Sequence, residues 1–140
     1  VEASMSGVKI DMVIRGISCM VAGIEGYTDN ITITSIVGRF LEHSRIYIFG
    51  KGKTAKIYIS SADFMTRNTI RRVEVATPVY DDGIRERILR MFNTMLSDNV
   101  KARIMANDGN YYKKDAADGV SRLNSQEYFY DEVVKKAQQN

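Results

Sequence analysis

The sequence is poor in the residues that most often announce chemistry. Its 140 residues hold one cysteine, one histidine and one proline. A lone thiol cannot close an internal disulfide, and one thiol with one imidazole cannot build a zinc cage. A reducing, cytoplasmic setting is therefore the default expectation. Cys19 stands among Ile17, Met20 and Val21, company that points to inert packing. No apolar run approaches the roughly 18 residues that span a bilayer, and no stretch has the form of a signal peptide. Internal repeats and low-complexity tracts are also missing.

What remains describes a folded domain. A hydrophobic content of 44% with 26% charged residues is that of a globular chain large enough to bury a core. Residues 1–140 read as one domain. The opening Val1-Glu2-Ala3-Ser4-Met5-Ser6-Gly7 reads as the last turns of a helix with a glycine cap, and its lack of an initiator methionine suggests a piece of a longer protein. The net charge of +3 is modest, but its distribution is uneven. Residues 36–78 carry Arg39, Arg45, Lys51, Lys53, Lys56, Arg67, Arg71 and Arg72 against Glu42, Asp63 and Glu74, a local excess of +5. Such clustering suits phosphate-rich ligands, although an ordinary solvated surface has the same composition.

Periodicity predicts a mixed α/β order. Val8, Ile10, Met12 and Ile14 alternate toward a turn at Arg15-Gly16, and Ile31-Thr32-Ile33-Thr34 is β-branched throughout. Ser35 is placed to cap a short helix through Ile36, Val37, Phe40 and Leu41. Residues 45–49 and 56–60 read as strands joined by a glycine-bearing hairpin loop. Residues 72–77 read as another strand, closed by Pro78. From Asp81 or Asp82, a cap, the period becomes helical, with Ile84, Ile88, Leu89, Met91, Phe92, Met95 and Leu96 on one face. Residues 100–105 return as a strand, and residues 107–122 are polar and glycine-punctuated, as in a flexible loop. A second, more polar helix over 125–138 would pack through Tyr128, Phe129, Val133 and Ala137.

Three places could carry chemistry. His43, the sole histidine, lies at a predicted helix–strand junction, and imidazole can give a hydrogen bond or proton to a phosphate oxygen near neutral pH. A histidine that merely caps the helix fits the same context. Ser60-Ser61-Ala62-Asp63 follows a strand, where small residues let backbone amides approach an anion. Arg15, beside Gly16 at a strand's carboxyl end, is placed to bind phosphate or to form a surface ion pair. Arg67, Arg71 and Arg72 lie in an expected loop, where at least one would pair with Glu74 or Asp63.

The spacing of His43-Ser44-Arg45, two strands, then Ser60-Ser61-Ala62-Asp63 resembles the phospholipase-D superfamily pattern of His-x-Lys followed by Gly-Ser-x-Asn. Arginine replaces the lysine, serine and aspartate replace glycine and asparagine, and the intervening aspartate is missing. A longer resemblance covers Val13-Ile14-Arg15-Gly16, residues 35–45, 58–68 and 71–78, and Ser97-Asp98-Asn99 through Arg103. Together these are similar to the C-terminal domain of long-form bacterial polyphosphate kinases.

The resemblance implies a phospholipase-D-like α/β fold, a mixed sheet flanked by helices. It implies reversible transfer of the terminal phosphoryl group of ATP to polyphosphate, through a phosphohistidine in a preceding domain. ATP or ADP would be the nucleotide substrate, with Mg2+ bound mainly outside this chain and no metal ligand within it. His43 would be the catalytic residue facing the nucleotide phosphates, Arg15 an ATP contact and Arg72 a residue near the phosphate path. Arg45 and Arg67 are polyphosphate-binding candidates from the residues alone. The partners implied are ATP, polyphosphate, preceding domains of the same polypeptide and further copies of the full-length enzyme, with no specific nucleic acid. Localisation would be cytoplasmic, with peripheral attachment to the inner membrane left open. Two other readings remain: a phosphodiesterase or nuclease using His43 as nucleophile, and a non-catalytic polyanion-binding module.

Overall fold

In the computed structural model, which describes residues 1–116 and 118–139, the chain forms two compact units. The first comprises Val1–Glu42 with Asn93–Asn140, and the second His43–Phe92.

The first unit opens with helix α1 (Glu2–Met5). It ends as its glycine foretold: Gly7 N–H donates to Ser4 C=O and Val8 N–H to Ala3 C=O, both at 2.9 Å. This paired closure requires the left-handed backbone that Gly7 adopts at φ +83°. Strands β1 (Ile10–Val13) and β2 (Ile31–Ile36) run parallel, with Ile10 opposite Ile31 and Val13 opposite Thr34. β6 (Ala102–Met105) joins β2 antiparallel, and β7 (Tyr111–Lys113) joins β6 antiparallel, so the sheet order is β1-β2-β6-β7. Ile31 and Ile33 from β2, Met105 from β6 and Ala22 form a buried core, against which Ile10, Met12 and Ile14 pack. The alternation in β1 thus turns one face inward, while Asp11 stays exposed.

The second unit is built on an antiparallel sheet of β3 (Ile46–Phe49), β4 (Lys56–Ser60) and β5 (Ala76–Pro78). The β3–β4 hairpin pairs Ile46 with Ile59 and Phe49 with Lys56, and its connection makes a single 3-10 turn, Gly52–Thr54. Arg85 orders this connection by donating to the carbonyls of Lys53 and Ala55. Helix α2 (Thr66–Arg71) precedes β5, and α3 (Asp82–Leu96) follows it. Asp81 caps α3, its Oδ1 accepting from Ile84 N–H at 2.9 Å. Ile57, Val79 and Ile88 form the core here, with Ile46, Ile48 and Leu89 around them.

Several expectations change. Residues 36–41 are not helical: β2 continues to Ile36, which pairs with Ala102 and is fully buried, so the strand ladder overrides the local helical spacing. α2 stands where a loop was expected, and β5 is correspondingly shorter than 72–77, starting only at Ala76. Residues 107–122, expected as a flexible loop, contain β7 and a tight turn closed by Ala106 N–H to Asn110 C=O; Ala117 lies outside the described residues. Helix α4 (Ser125–Gln139) buries Ser125 and Gln126, while Tyr128 and Val133 are exposed. Its first turn is fixed by hydrogen bonds rather than by an apolar face. Cys19 is exposed, because its neighbour Ile17 is itself 93% exposed and the segment after Gly16 runs outside the sheet.

Candidate functional site

The β3–β4 hairpin explains why two separated motifs meet. With Ile46 opposite Ile59, the residues just before β3 lie beside those just after β4, and Ser60 N–H donates to Arg45 C=O at 2.9 Å. His43 and Arg45 therefore adjoin Asp63. Arg45 Nε donates to Asp63 Oδ1 at 2.9 Å, and Arg45 Nη2 lies 2.7 Å from His43 Nε2. The same Asp63 oxygen is 3.7 Å from His43 Nε2. The Arg45 side chain is 22% exposed and that of Asp63 33%, whereas His43 is 51% exposed and accessible to a ligand.

Electrostatics follow the geometry. The hydrogen bond from Arg45 holds the Asp63 carboxyl below its ordinary range, against a smaller opposing effect of burial. The same bond raises the Arg45 guanidinium, so both stay charged. Tyr47, two residues along the same strand face, has its phenol pushed up by burial and then by Asp63; it donates to Ala62 C=O at 3.0 Å.

Beside this cluster lies an open hollow of about 380 Å³, lined among others by Tyr47, Phe64, Asn68, Arg72 and Glu74. Phe64 packs on Tyr47 with ring centroids 5.6 Å apart and is itself 83% exposed. Arg72 is the cation of this hollow. Arg67 stands on α2 with Nε donating to Asn68 Oδ1 at 3.3 Å. The second unit therefore gathers His43 with Arg45 and places Arg72 at the hollow.

The remaining assignments shift. Arg45, a candidate for polyphosphate contact, is engaged by Asp63 and His43. At least one of Arg67, Arg71 and Arg72 was expected to pair with Glu74 or Asp63, but the Glu74 carboxylate accepts from the Ser61 hydroxyl and from Asn68 Nδ2 at 3.1 Å, and Asp63 accepts from Arg45. Ser61 N–H donates to Val75 C=O and Ala62 N–H to Ser60 Oγ, so these two amides do not face an anion. Asn68 and Tyr47 were not singled out by the sequence. Only Tyr47 carried a signal, its i+2 spacing from Arg45.

In the first unit, Arg15 follows β1 and is exposed. Ile14 N–H still bonds Thr34 C=O, and Gly16, at φ +84°, donates to Ser35 Oγ at 3.1 Å. Because β1 and β2 are parallel, Arg15 and the segment after Ile36 share the carboxyl edge of that pair, the usual place for ligands in such sheets. That segment is held by α4. Phe40 N–H donates to Gln126 Oε1 and Gln126 Nε2 to Phe40 C=O, both at 2.9 Å, while Nε2 also reaches Glu42 at 2.8 Å. Arg39 lies over the rings of Phe40 and Tyr130, 5.0 Å from each centroid. Ser97-Asp98-Asn99 proves structural: Asp98, fully buried, accepts five hydrogen bonds, from Val100, Lys101 and Ala102 N–H and from the amide and hydroxyl of Ser125.

Comparison with known proteins gives this arrangement a family. A profile described as polyphosphate kinase C-terminal domain 2 matches residues 1–126. The chain is 50% identical over 134 residues to a polyphosphate kinase of Staphylococcus epidermidis, covering 96% of this chain and 18% of that protein. It is 48% identical over 138 residues to one from Staphylococcus haemolyticus, covering 99% of this chain and 19% of that protein. The crystal structure of polyphosphate kinase from Porphyromonas gingivalis is similar with a TM-score of 0.89 at 36% identity, over 99% of this chain and 21% of that one. The fold is thus mixed α/β and phospholipase-D-like. The chain spans about a fifth of the length of these relatives.

Proposed function

Because this chain belongs to the polyphosphate kinase C-terminal domain family, we propose that it is part of an enzyme that moves the terminal phosphoryl group of ATP reversibly onto inorganic polyphosphate. The bond from the terminal phosphorus of ATP to its bridging oxygen breaks as a bond to a histidine nitrogen in a preceding domain forms, and ADP leaves. A terminal oxygen of polyphosphate then attacks that phosphorus, and the phosphohistidine bond breaks.

In this reading His43 hydrogen-bonds an oxygen of the transferring phosphoryl group. Arg15 holds nucleotide phosphates, Arg72 lies along the polyphosphate path, and Arg67 is a weaker candidate for it. Phosphoryl transfer calls for positioning and neutralisation of spreading negative charge, which are the capacities of arginine and imidazole. The observation that carries the reading is the half-exposed imidazole of His43, held by Arg45, which Asp63 anchors in turn, in a chain matched to the family over residues 1–126.

Mg2+ would accompany the nucleotide phosphates. Among the described residues no group of three or more His, Cys, Asp or Glu could hold a metal ion, so none is assigned to it here. Likewise, among the described residues no helix is long and apolar enough to cross a membrane. A cytoplasmic enzyme, assembled through other parts of a longer chain and open to peripheral membrane attachment, completes the proposal.

The test mixes the full-length parent enzyme with ATP and Mg2+ and assays acid-stable polyphosphate. Chain formation is expected, with ADP as co-product. Cleavage of a generic phosphodiester without polyphosphate synthesis would favour the phosphodiesterase reading. Steep, ligand-blind loss of polyanion binding with added salt, and no turnover, would favour a binding module.

A further inference from the structure

We infer that Arg45 is a positioning residue that fixes the tautomer of His43, with Asp63 as its anchor. A guanidinium has only N–H donors and no acceptor. Its Nη2 lies 2.7 Å from His43 Nε2, so Nε2 must be the acceptor; two N–H groups could not face each other at that distance. The neutral ring therefore carries its proton on Nδ1, against the ordinary preference of free imidazole for Nε2–H.

Asp63 makes the arrangement stable. By taking Arg45 Nε at 2.9 Å it sets the plane of the guanidinium and leaves Nη2 toward the ring. Its own oxygen, 3.7 Å from Nε2, is too distant for a hydrogen bond, so the ring meets the arginine rather than the carboxylate. Tyr47 does not compete, since its hydroxyl is engaged by Ala62 C=O.

The chemical consequence concerns what His43 can do. With the Nε2 lone pair occupied and Nδ1 protonated, neither nitrogen is available as a nucleophile. The ring offers one hydrogen-bond donor, Nδ1–H. His43 is then a built donor to a phosphoryl oxygen and not an acceptor of the phosphoryl group itself. This functional consequence rests on the proposed phosphotransferase reading, whereas the tautomer does not.

The sole histidine of the chain makes a direct test simple. The imidazole nitrogens of the 15N-histidine-labelled 140-residue chain are followed by NMR at a pH where the ring is neutral. The expected spectrum has a protonated Nδ1 and an unprotonated Nε2, and Arg45→Ala returns the proton to Nε2. Asp63→Asn, a milder change, is expected to shift the population partway, and serves if Arg45→Ala does not fold. An Nε2–H ring in the parent chain, or variants that leave the tautomer unchanged, would overturn the inference.

In the full-length enzyme, Arg45→Gln is expected to lower kcat at least tenfold with KM for ATP nearly constant. A raised KM with unchanged kcat would instead make Arg45 a substrate contact and overturn the positioning role. Absence of polyphosphate synthesis in the parent enzyme would defeat the functional reading while leaving the NMR result standing.

Discussion

Gln126 and Phe40, distant in sequence, hold each other in both directions: the backbone N–H and C=O of Phe40 meet the two ends of the Gln126 carboxamide at 2.9 Å each. Gln126 is buried on the first turn of α4, and its carboxamide substitutes for strand pairing just beyond the end of β2. The fit leaves no room at Gly38, where an added Cβ would stand 2.5 Å from Gln126 Oε1.

Gly38→Ala should therefore destabilise the fold by roughly 1–3 kcal/mol, because the carboxamide must leave its partners or the loop must move. Gln126→Ala should cost about as much, and the double variant less than the sum of the two. Denaturant midpoints at constant slope check this, and strict additivity would show that the two positions do not act through one contact.

Asp98 offers a pH-dependent test. Burial pushes its carboxyl up, but hydrogen bonds from Ser125, Lys101 and Val100 outweigh it and hold the group below its ordinary value. A carboxyl lowered in the folded state contributes stability above its unfolded pKa of about 4 and loses it as pH falls through the folded value. Asp98→Asn should destabilise by about 2–4 kcal/mol at pH 7, since an amide leaves donors unsatisfied. Its melting temperature should also depend less on pH below about 4 than that of the parent. Asp63 and Asp108, the latter lowered to about 2 by Asn110 and Tyr112, keep some acid sensitivity in the variant.

Arg15 and Arg72 are exposed, so their loss should be felt by ligands and not by the fold. Arg15→Ala and Arg72→Ala should each leave stability within about 0.5 kcal/mol. Each should lower kcat/KM for ATP or polyphosphate in the full-length enzyme by tenfold or more, as expected for a charge-assisted hydrogen bond worth about 1.5–3 kcal/mol. Steady-state kinetics beside thermal melts separate the two effects.

Much of this was legible in the chain because the signals were local. The β-branched run at Ile31, the alternation from Val8 to Ile14 and the cap at Asp81 or Asp82 each act over a few residues, and they became β2, the shorter β1 (Ile10–Val13) and α3 capped by Asp81. The meeting of Arg45 with Asp63 could be anticipated from the hairpin between them. Ile36 could not: its spacing to Val37, Phe40 and Leu41 suits a helix, and only pairing with Ala102 far along the chain makes it a strand. Glu74 was likewise opaque, since its bonds to Ser61 and Asn68 depend on α2, which has no side-chain cap and no acidic first turn to announce it. The exposure of Cys19 depends on a segment leaving the sheet, which local composition does not encode.

The most direct test of the account is His43→Ala in the full-length enzyme, supplied with ATP and Mg2+ and assayed for acid-stable polyphosphate beside its circular dichroism and melting temperature. The imidazole is half-exposed and contributes nothing to either core, so the fold should be unchanged while synthesis is lost. Near-parental synthesis by a folded variant would contradict a role for His43 in phosphoryl transfer.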